Sequence, residues 1–399
     1  MNLSALNKIQ DVMEAAVKEN QVAGVNVLIC QDNQEKAYFQ SGMADIKNKK
    51  PFKRDTICRL YSMTKPVTAV AAMILLENGK LDLAEEVSKY LPLYKDLMVC
   101  TQGGRNAKPV KSTRPLLVQD LLNMTSGYGY GAYEKDSIYG ELLTGDLIQE
   151  LNKDSLGPGK ITTRDVADRL AKIPVMFEPG TGYNYGLSAD IMGALIEEIS
   201  GQKFSEFLKK NILSPLKMAD TDFFVPKEKQ NRLSNVYKVS SAKAMELFES
   251  PNLGIQPFMD HSPSFESGGA GLCSSIDDYM KFTNMLCNRG EIDGVRILKP
   301  KTVEYLSTAV LTPYLQNKFD ERMPHLSGYT YCNYMRVAIN KGACRAVTEN
   351  NEFGWDGWLG PYMSVDLKNH LSIVMLMQRT DSGTWELTRK IKNIVYTSL

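Results

Sequence analysis

Residues 60–69 read Leu60-Tyr-Ser-Met-Thr-Lys-Pro-Val-Thr-Ala69, LYSMTKPVTA, and set a serine and a lysine three residues apart at the head of the apolar run VTAVAAMILLENGKLDL. Val67, Val70, Ala71, Ile74 and Leu75 fall on one helical face and Gly79 marks a stop, so the stretch predicts a helix with Ser62 in its first turn. Pro66 fits there, because a proline is tolerated near a helix start and breaks an interior. Two readings compete for Ser62: a helix cap, or a nucleophile with its activating lysine one turn away.

Spacing alone does not decide between them. The same S-x-x-K occurs at Ser200 with Lys203, Ser214 with Lys217 and Ser240 with Lys243. Ser200 precedes Gly201 at a helix end, Ser214 precedes Pro215 in a turn, and Ser240 lies in a polar stretch. Only Ser62 opens a long apolar helix, where Lys65 at i+3 shares its face and the free backbone N–H groups favour negative charge. The chemistry asks for more than a serine. A lysine with an ordinary pKa of about 10.4 is protonated at pH 7, so burial or a tyrosine sharing the proton must make it a base. A second backbone N–H opposite Ser62 would complete an oxyanion hole.

Further out, GVNVLICQ (24–31) and EKAYFQSG (35–42), separated by Asp32-Asn33-Gln34, read as a hairpin. From about 80 to 290 the chain reads as helices, among them LLVQDLLNM, ITTRDVADRLAKI, ADIMGALIEEISG and IDDYMKFTNMLCNRG, joined by loops such as TSGYGYGAY and SLGPGKITT. SGYTYCNYMRVAI, PYMSVDL and HLSIVMLMQ read as strands, and TWELTRKIKNIVYTSL as a closing amphipathic helix. Strands at both ends with helices between predict one sheet built from the two termini and a large helical insertion.

The 399 residues, 43% of them apolar, can furnish a substantial core. Lys and Arg number 47 against 46 Asp and Glu, and the net charge of +1 offers no field for nucleic acid or anionic lipid. The amino terminus has a helical period and not the uninterrupted apolar run of a signal peptide, and no later segment reaches the roughly 18 apolar residues of a membrane span. Seven scattered cysteines (30, 58, 100, 273, 287, 332, 344) without a C-x-x-C pair favour reduced thiols and a cytoplasmic location. With three histidines, His261, His325 and His370, and no H-E-x-x-H, no metal or cofactor is expected.

Four segments, in order along residues 55–380, carry a specific resemblance. EPGTGYNYGLSADIMGALIEEISGQKFSEFL (178–208) resembles the tyrosine motif of the serine β-lactamase and penicillin-binding-protein superfamily, and LLNMTSGY (121–128) the loop before it. FESGGAGLCSSIDDYMKF (265–282) is similar to the glycine-rich approach to the final strands, and FGWDGWLGPYMSVDLKNHLSIVMLMQ (353–378) to the strand that carries Lys-Thr-Gly in the β-lactamases. The resemblance implies an α/β fold of the β-lactamase/transpeptidase type, a mainly antiparallel sheet flanked by helices. A sheet domain would comprise residues 1–75 and 291–399 and a mainly helical domain residues 76–290, with the active site between them. It also implies that Ser62 attacks the acyl carbonyl, that Lys65 and Tyr185 shuttle its proton, and that the N–H groups of Ser62 and Trp358, beside Gly357, hold the oxyanion.

The departures from the β-lactamase pattern bear on substrate. Where the family's Tyr-x-Asn offers an amide, Tyr185 is followed by Gly186 and Leu187, and where Lys-Thr-Gly offers a cation, the chain has Trp355-Asp356-Gly357. Asp356 is open to two readings, a repeller of anionic substrate or a solvated strand residue. Tyr183, Trp355 and Trp358 suit a pocket for an uncharged acyl or alkoxy group. Tyr-x-Leu with Trp-x-Gly is similar to the β-lactamase-like, family VIII carboxylesterases and their acyltransferase relatives.

An α/β-hydrolase needs a G-x-S-x-G elbow, and Gly186-Leu-Ser188-Ala-Asp190 lacks its second glycine. GYGYG at 127–131 lacks the spacing of a dinucleotide loop. The expectation is therefore a serine hydrolase that cleaves small carboxylic esters through an acyl-Ser62 intermediate, with water or an acceptor alcohol or amine completing the reaction. The alternatives are a penicillin-recognising D-amino-acid peptidase or amidase, a weak β-lactamase, and a covalent sensor that acylates without turnover.

Overall fold

The computed structural model describes residues 1–100, 108–131 and 137–399, so the end of the TSGYGYGAY loop lies outside the described residues. The main sheet has eight strands: β1 (Gly24–Gln31), β2 (Gln34–Asp45), β3 (Lys50–Pro51), β4 (Tyr329–Cys332), β5 (Met335–Ala338), β6 (Phe353–Gly354), β7 (Tyr362–Asp366) and β8 (Leu371–Met377). Their order is β4-β5-β6-β7-β8-β1-β2-β3, antiparallel throughout. Amino- and carboxyl-terminal strands meet at β1 and β8, where Val25 pairs Met377 and Gln31 pairs Leu371.

Two hairpins close on two-residue turns. Asp32 and Asn33 both take positive φ (56° and 57°) between β1 and β2, as the tight turn that matches strand twist requires, and Gln34 already belongs to the strand. The same device divides the predicted strand SGYTYCNYMRVAI: Asn333 (φ 52°) and Tyr334 (φ 61°) turn it into the β4–β5 hairpin. Periodicity alone cannot register that break, because the alternation continues on both sides of the turn.

Both faces of the sheet are covered. Along β1, Val25, Val27 and Ile29 enter one apolar cluster with Leu387, Ile391 and Val395 of the closing helix, while Leu28 and Cys30 enter the main core on the other side. The first cluster is made with helices α1 (Lys8–Lys18) and, at the other end of the chain, α5 (Glu386–Thr397). On the opposite side lie α2 (Thr64–Glu77), α3 (Ser188–Ser200) and α4 (Ile276–Cys287); α2 packs on α3, and α4 on β7, β8 and β1. Eleven of the fourteen residues of α2 are buried, so the apolar run after Ser62 forms a helix enclosed nearly all round. Among the described residues no helix is long and apolar enough to cross a membrane.

Candidate active site

Ser62 lies in a short 3-10 turn, Tyr61–Met63, that feeds directly into α2. Tyr61 before it holds φ of 47°, a left-handed conformation rare for a bulky residue, and its ring is anchored 5.1 Å from that of Trp358. Ser62 stays partly exposed whereas Lys65, one turn on, is completely buried. The Ser62 hydroxyl is therefore open to solvent on one side while the Lys65 amine faces the core.

Lys65 Nζ has three near neighbours: Ser62 Oγ at 3.1 Å, the Tyr130 hydroxyl at 3.0 Å and the Gly269 carbonyl at 2.9 Å. Burial brings the Lys65 ammonium down to about 7, against the opposing pull of the Asp190 and Asp356 carboxylates. A neutral amine has two N–H donors and one lone pair. The Gly269 carbonyl can only accept, so the lone pair is left for one of the two hydroxyls, the arrangement a general base needs.

Three chain segments converge on this amine, and glycines allow it. A Cβ at Gly268 would sit 2.2 Å from the Ala189 carbonyl oxygen, and one at Gly186 2.4 Å from that of Tyr128. The glycine-rich segment 267–272 is then fastened along the start of α2: Leu60 N–H donates to Leu272 O, Leu272 N–H to Thr64 Oγ1, and Thr68 Oγ1 to Gly268 O. Buried Asp190, on α3, accepts from Gly269 N–H and from Ser267, so one carboxylate fixes the residue whose carbonyl accepts from Lys65. Burial raises the Asp190 carboxyl, although the Ser267 hydrogen bond and the Lys65 charge oppose this.

The structure brings two phenols to Ser62. Tyr130 and Tyr185 both lie beside the serine, their rings 5.7 Å apart and edge to face. Tyr185 presents its ring to Lys65 Nζ, 4.7 Å from the centroid, and its hydroxyl accepts the Trp355 indole N–H at 2.8 Å. The direct contact to the amine comes from Tyr130, in the GYGYG stretch. Burial pushes both phenols well up, so both keep their protons at neutral pH, and Lys65 is the member of the cluster that changes charge there.

The predicted binding residues separate into walls. Trp355, almost fully buried, packs on Tyr185 and Tyr331. Tyr183 lies one layer deeper, its ring 5.6 Å from Tyr331 and 5.1 Å from Phe319. On the other side, Trp358 packs between Tyr61 and Phe248 and donates its indole N–H to Asp381. Gly357 lies against the backbone before Ser62, since a Cβ there would be 2.1 Å from the Leu60 carbonyl oxygen. No acceptor among the described residues takes the backbone N–H of Ser62 or of Trp358. Leu187 is buried in the core at the head of α3. The Asp356 carboxylate accepts Thr384 N–H at 2.8 Å.

Sequence reasoning did not find Tyr130 or Asp190. The signals were present in the glycines at 127, 129 and 131 and in Ser267-Gly268-Gly269, which mark backbone brought close to something else.

A family model described as Beta-lactamase matches residues 9–393, and the chain belongs to that family. Esterase EstB of Burkholderia gladioli is 24% identical, the match covering 98% of this chain and 94% of the relative. The ML-236A carboxylate methylbutanoyltransferase mlcH of Penicillium citrinum is 26% identical over 99% of this chain and 95% of its own. Among solved structures, EstCE1, a hydrolase with promiscuous acyltransferase activity, superposes with a TM-score of 0.80 at 24% identity, covering 99% of both chains. It has the same fold.

Proposed function

We propose that this chain is a serine hydrolase that cleaves small carboxylic esters through an acyl-Ser62 intermediate. The observation that carries the proposal is the buried Lys65 amine, poised near neutrality, within 3.1 Å of a partly exposed serine hydroxyl. Neutral Lys65 takes the Ser62 proton as Oγ bonds to the ester carbonyl carbon. The N–H groups of Ser62 and Trp358 receive the negative charge that develops on the carbonyl oxygen. When the tetrahedral adduct collapses, the leaving alkoxide takes a proton from the Lys65 ammonium, relayed through a protonated phenol, Tyr185 or Tyr130. Water then repeats the sequence with Lys65 as base, releasing acid and free Ser62.

The walls support an uncharged substrate. Trp355 stands where the β-lactamases offer a cation, and an indole cannot pair a carboxylate. Phe248, Trp358 and Tyr61 on one side and Trp355, Tyr185 and Tyr331 on the other favour an apolar acyl or alkoxy group. Transfer to an acceptor alcohol is the second reading, supported by the mlcH relative; it needs only that the acceptor replace water at the acyl-enzyme.

Intact-protein mass after mixing with p-nitrophenyl butyrate, and separately with a penicillin, tests the proposal in wild type and Ser62→Ala, alongside nitrophenol release. A serine-dependent acyl adduct with ester turnover is the expected result. Stable acylation by penicillin without ester turnover would instead make the protein a penicillin-recognising peptidase or sensor.

A further inference from the structure

On the α5 side of the sheet the strands bury an ionic cluster that the proposed reaction does not use. Arg336, between Met335 and Val337 of β5, turns away from the main core that those two residues enter. Arg336 and Lys392 of α5 share one buried carboxylate: Glu352 accepts from Arg336 Nη2 at 3.0 Å and from Lys392 Nζ at 2.9 Å, and also from Ser364 and Thr348. All three ionic groups are at most 3% exposed. One anion therefore faces two enclosed cations, and an uncompensated buried charge is costly.

A recess opens beside this cluster, with an empty volume of about 350 Å³ that includes the solvent at its mouth. Arg336, Lys392 and Thr388 line its depth, Thr384 its side, and Arg345 and Arg389 its mouth. Among the described residues several donors there have nothing to bind: Arg336 Nη1 has no partner although the side chain is 1% exposed, and the hydroxyls of Thr388 (2% exposed) and Thr384 also lack one. Lys392 donates to Glu352 and to the Tyr329 hydroxyl, which leaves the third donor of its ammonium. The recess sits at the first turn of the twelve-residue α5, whose N-terminal N–H groups add a favourable field for an anion. His325 also lines the recess. The nearby carboxylates are engaged elsewhere: Asp356 with Thr384 N–H and Glu386 with Lys390. Burial pushes the Glu352 carboxyl up, but the Lys392 and Arg336 charges outweigh it and hold it down at about 2, as a surplus of positive charge requires.

We propose that this recess is an oxyanion-binding site, separate from Ser62, that takes the carboxylate or phosphate head group of a small molecule. The head group accepts from Arg336 Nη1, Lys392 and Thr388 at the bottom, while Arg345 and Arg389 close over it at the mouth. Because Thr384 lines the recess and its N–H holds Asp356, which follows Trp355 just after β6, occupancy is placed one residue from the Trp355 wall.

The test is the thermal midpoint of the full chain against increasing inorganic phosphate, and in a separate series acetate, with ionic strength held constant by sodium chloride. Wild type and Ser62→Ala should show the same saturable rise with at least one of the two anions, and the anion that saturates at lower concentration identifies the head group. Arg345→Ala/Arg389→Ala should raise the half-saturating concentration at least tenfold. Thr388→Val, which removes a hydroxyl without an internal partner and so should fold normally, should raise it severalfold. A rise that never saturates with either anion, one equal in all variants, or one lost in Ser62→Ala would overturn the proposal.

Discussion

Trp355 donates its indole N–H to the hydroxyl oxygen of Tyr185 across 2.8 Å, so the tryptophan orients the tyrosine beside Ser62. With that lone pair occupied, the phenolic proton is free to point toward Ser62. Trp355→Phe keeps the aromatic wall and deletes the donor. Loss of one hydrogen bond of about 1 kcal/mol should lower kcat by about tenfold or less with little change in KM for p-nitrophenyl butyrate. A loss confined to KM would show that the indole serves only to bind substrate.

The two phenols should differ in what their removal does. Tyr185→Phe should reduce kcat/KM by roughly 100-fold, the scale of general acid–base assistance. Tyr130→Phe removes a hydroxyl 3.0 Å from Lys65 Nζ, leaving the buried amine with one fewer partner, and should move the acidic limb of the pH–rate profile as well as lower the rate. A Tyr185→Phe enzyme of undiminished rate would refute the role given to Tyr185.

Activity should rise with pH through about 7. The base must be neutral to accept the Ser62 proton, and burial holds the folded-state Lys65 at about 7, so kcat/KM falls tenfold per pH unit below that value and levels off above it. Tyr130 and Tyr185 are pushed well above their ordinary range and stay protonated across the same window. Initial rates from pH 5 to 9 check this; a flat profile would remove Lys65 as the base.

The same burial should cost stability. Lys65 is lowered in the folded state relative to about 10.4 in the unfolded chain, so as pH falls from 10.4 toward 7 the unfolded chain gains a proton that the folded one resists. The penalty is absent above 10.4 and complete below about 7. Lys65→Met, which fills the same volume without charge, should therefore be inactive yet more stable than wild type at pH 7, by roughly 1 kcal/mol or more after loss of the Gly269 hydrogen bond. Urea unfolding at pH 7 and pH 10 measures the difference, and an advantage that fails to shrink at pH 10 would sink the linkage.

What the sequence determined by itself is local or strictly periodic. Ser62 and Lys65 are three residues apart along a 3-10 turn that runs on into α2, so their proximity of 3.1 Å follows from helical geometry once the apolar run after them is read. The sheet from both termini was legible because β1 and β8 are buried on both faces and have the continuous apolar composition that this demands. Tertiary structure decided the rest. Tyr130 is 65 residues from Lys65, and Asp190 acts on it by its charge and through its hydrogen bond to Gly269 N–H; both contacts depend on glycine-rich segments closing to distances that a side chain would block. The β4–β5 turn and the recess of Arg336, Lys392 and Thr388 were hidden for the same reason. Alternation says that a residue faces away from the core, and only the register of strand against helix decides what it faces instead.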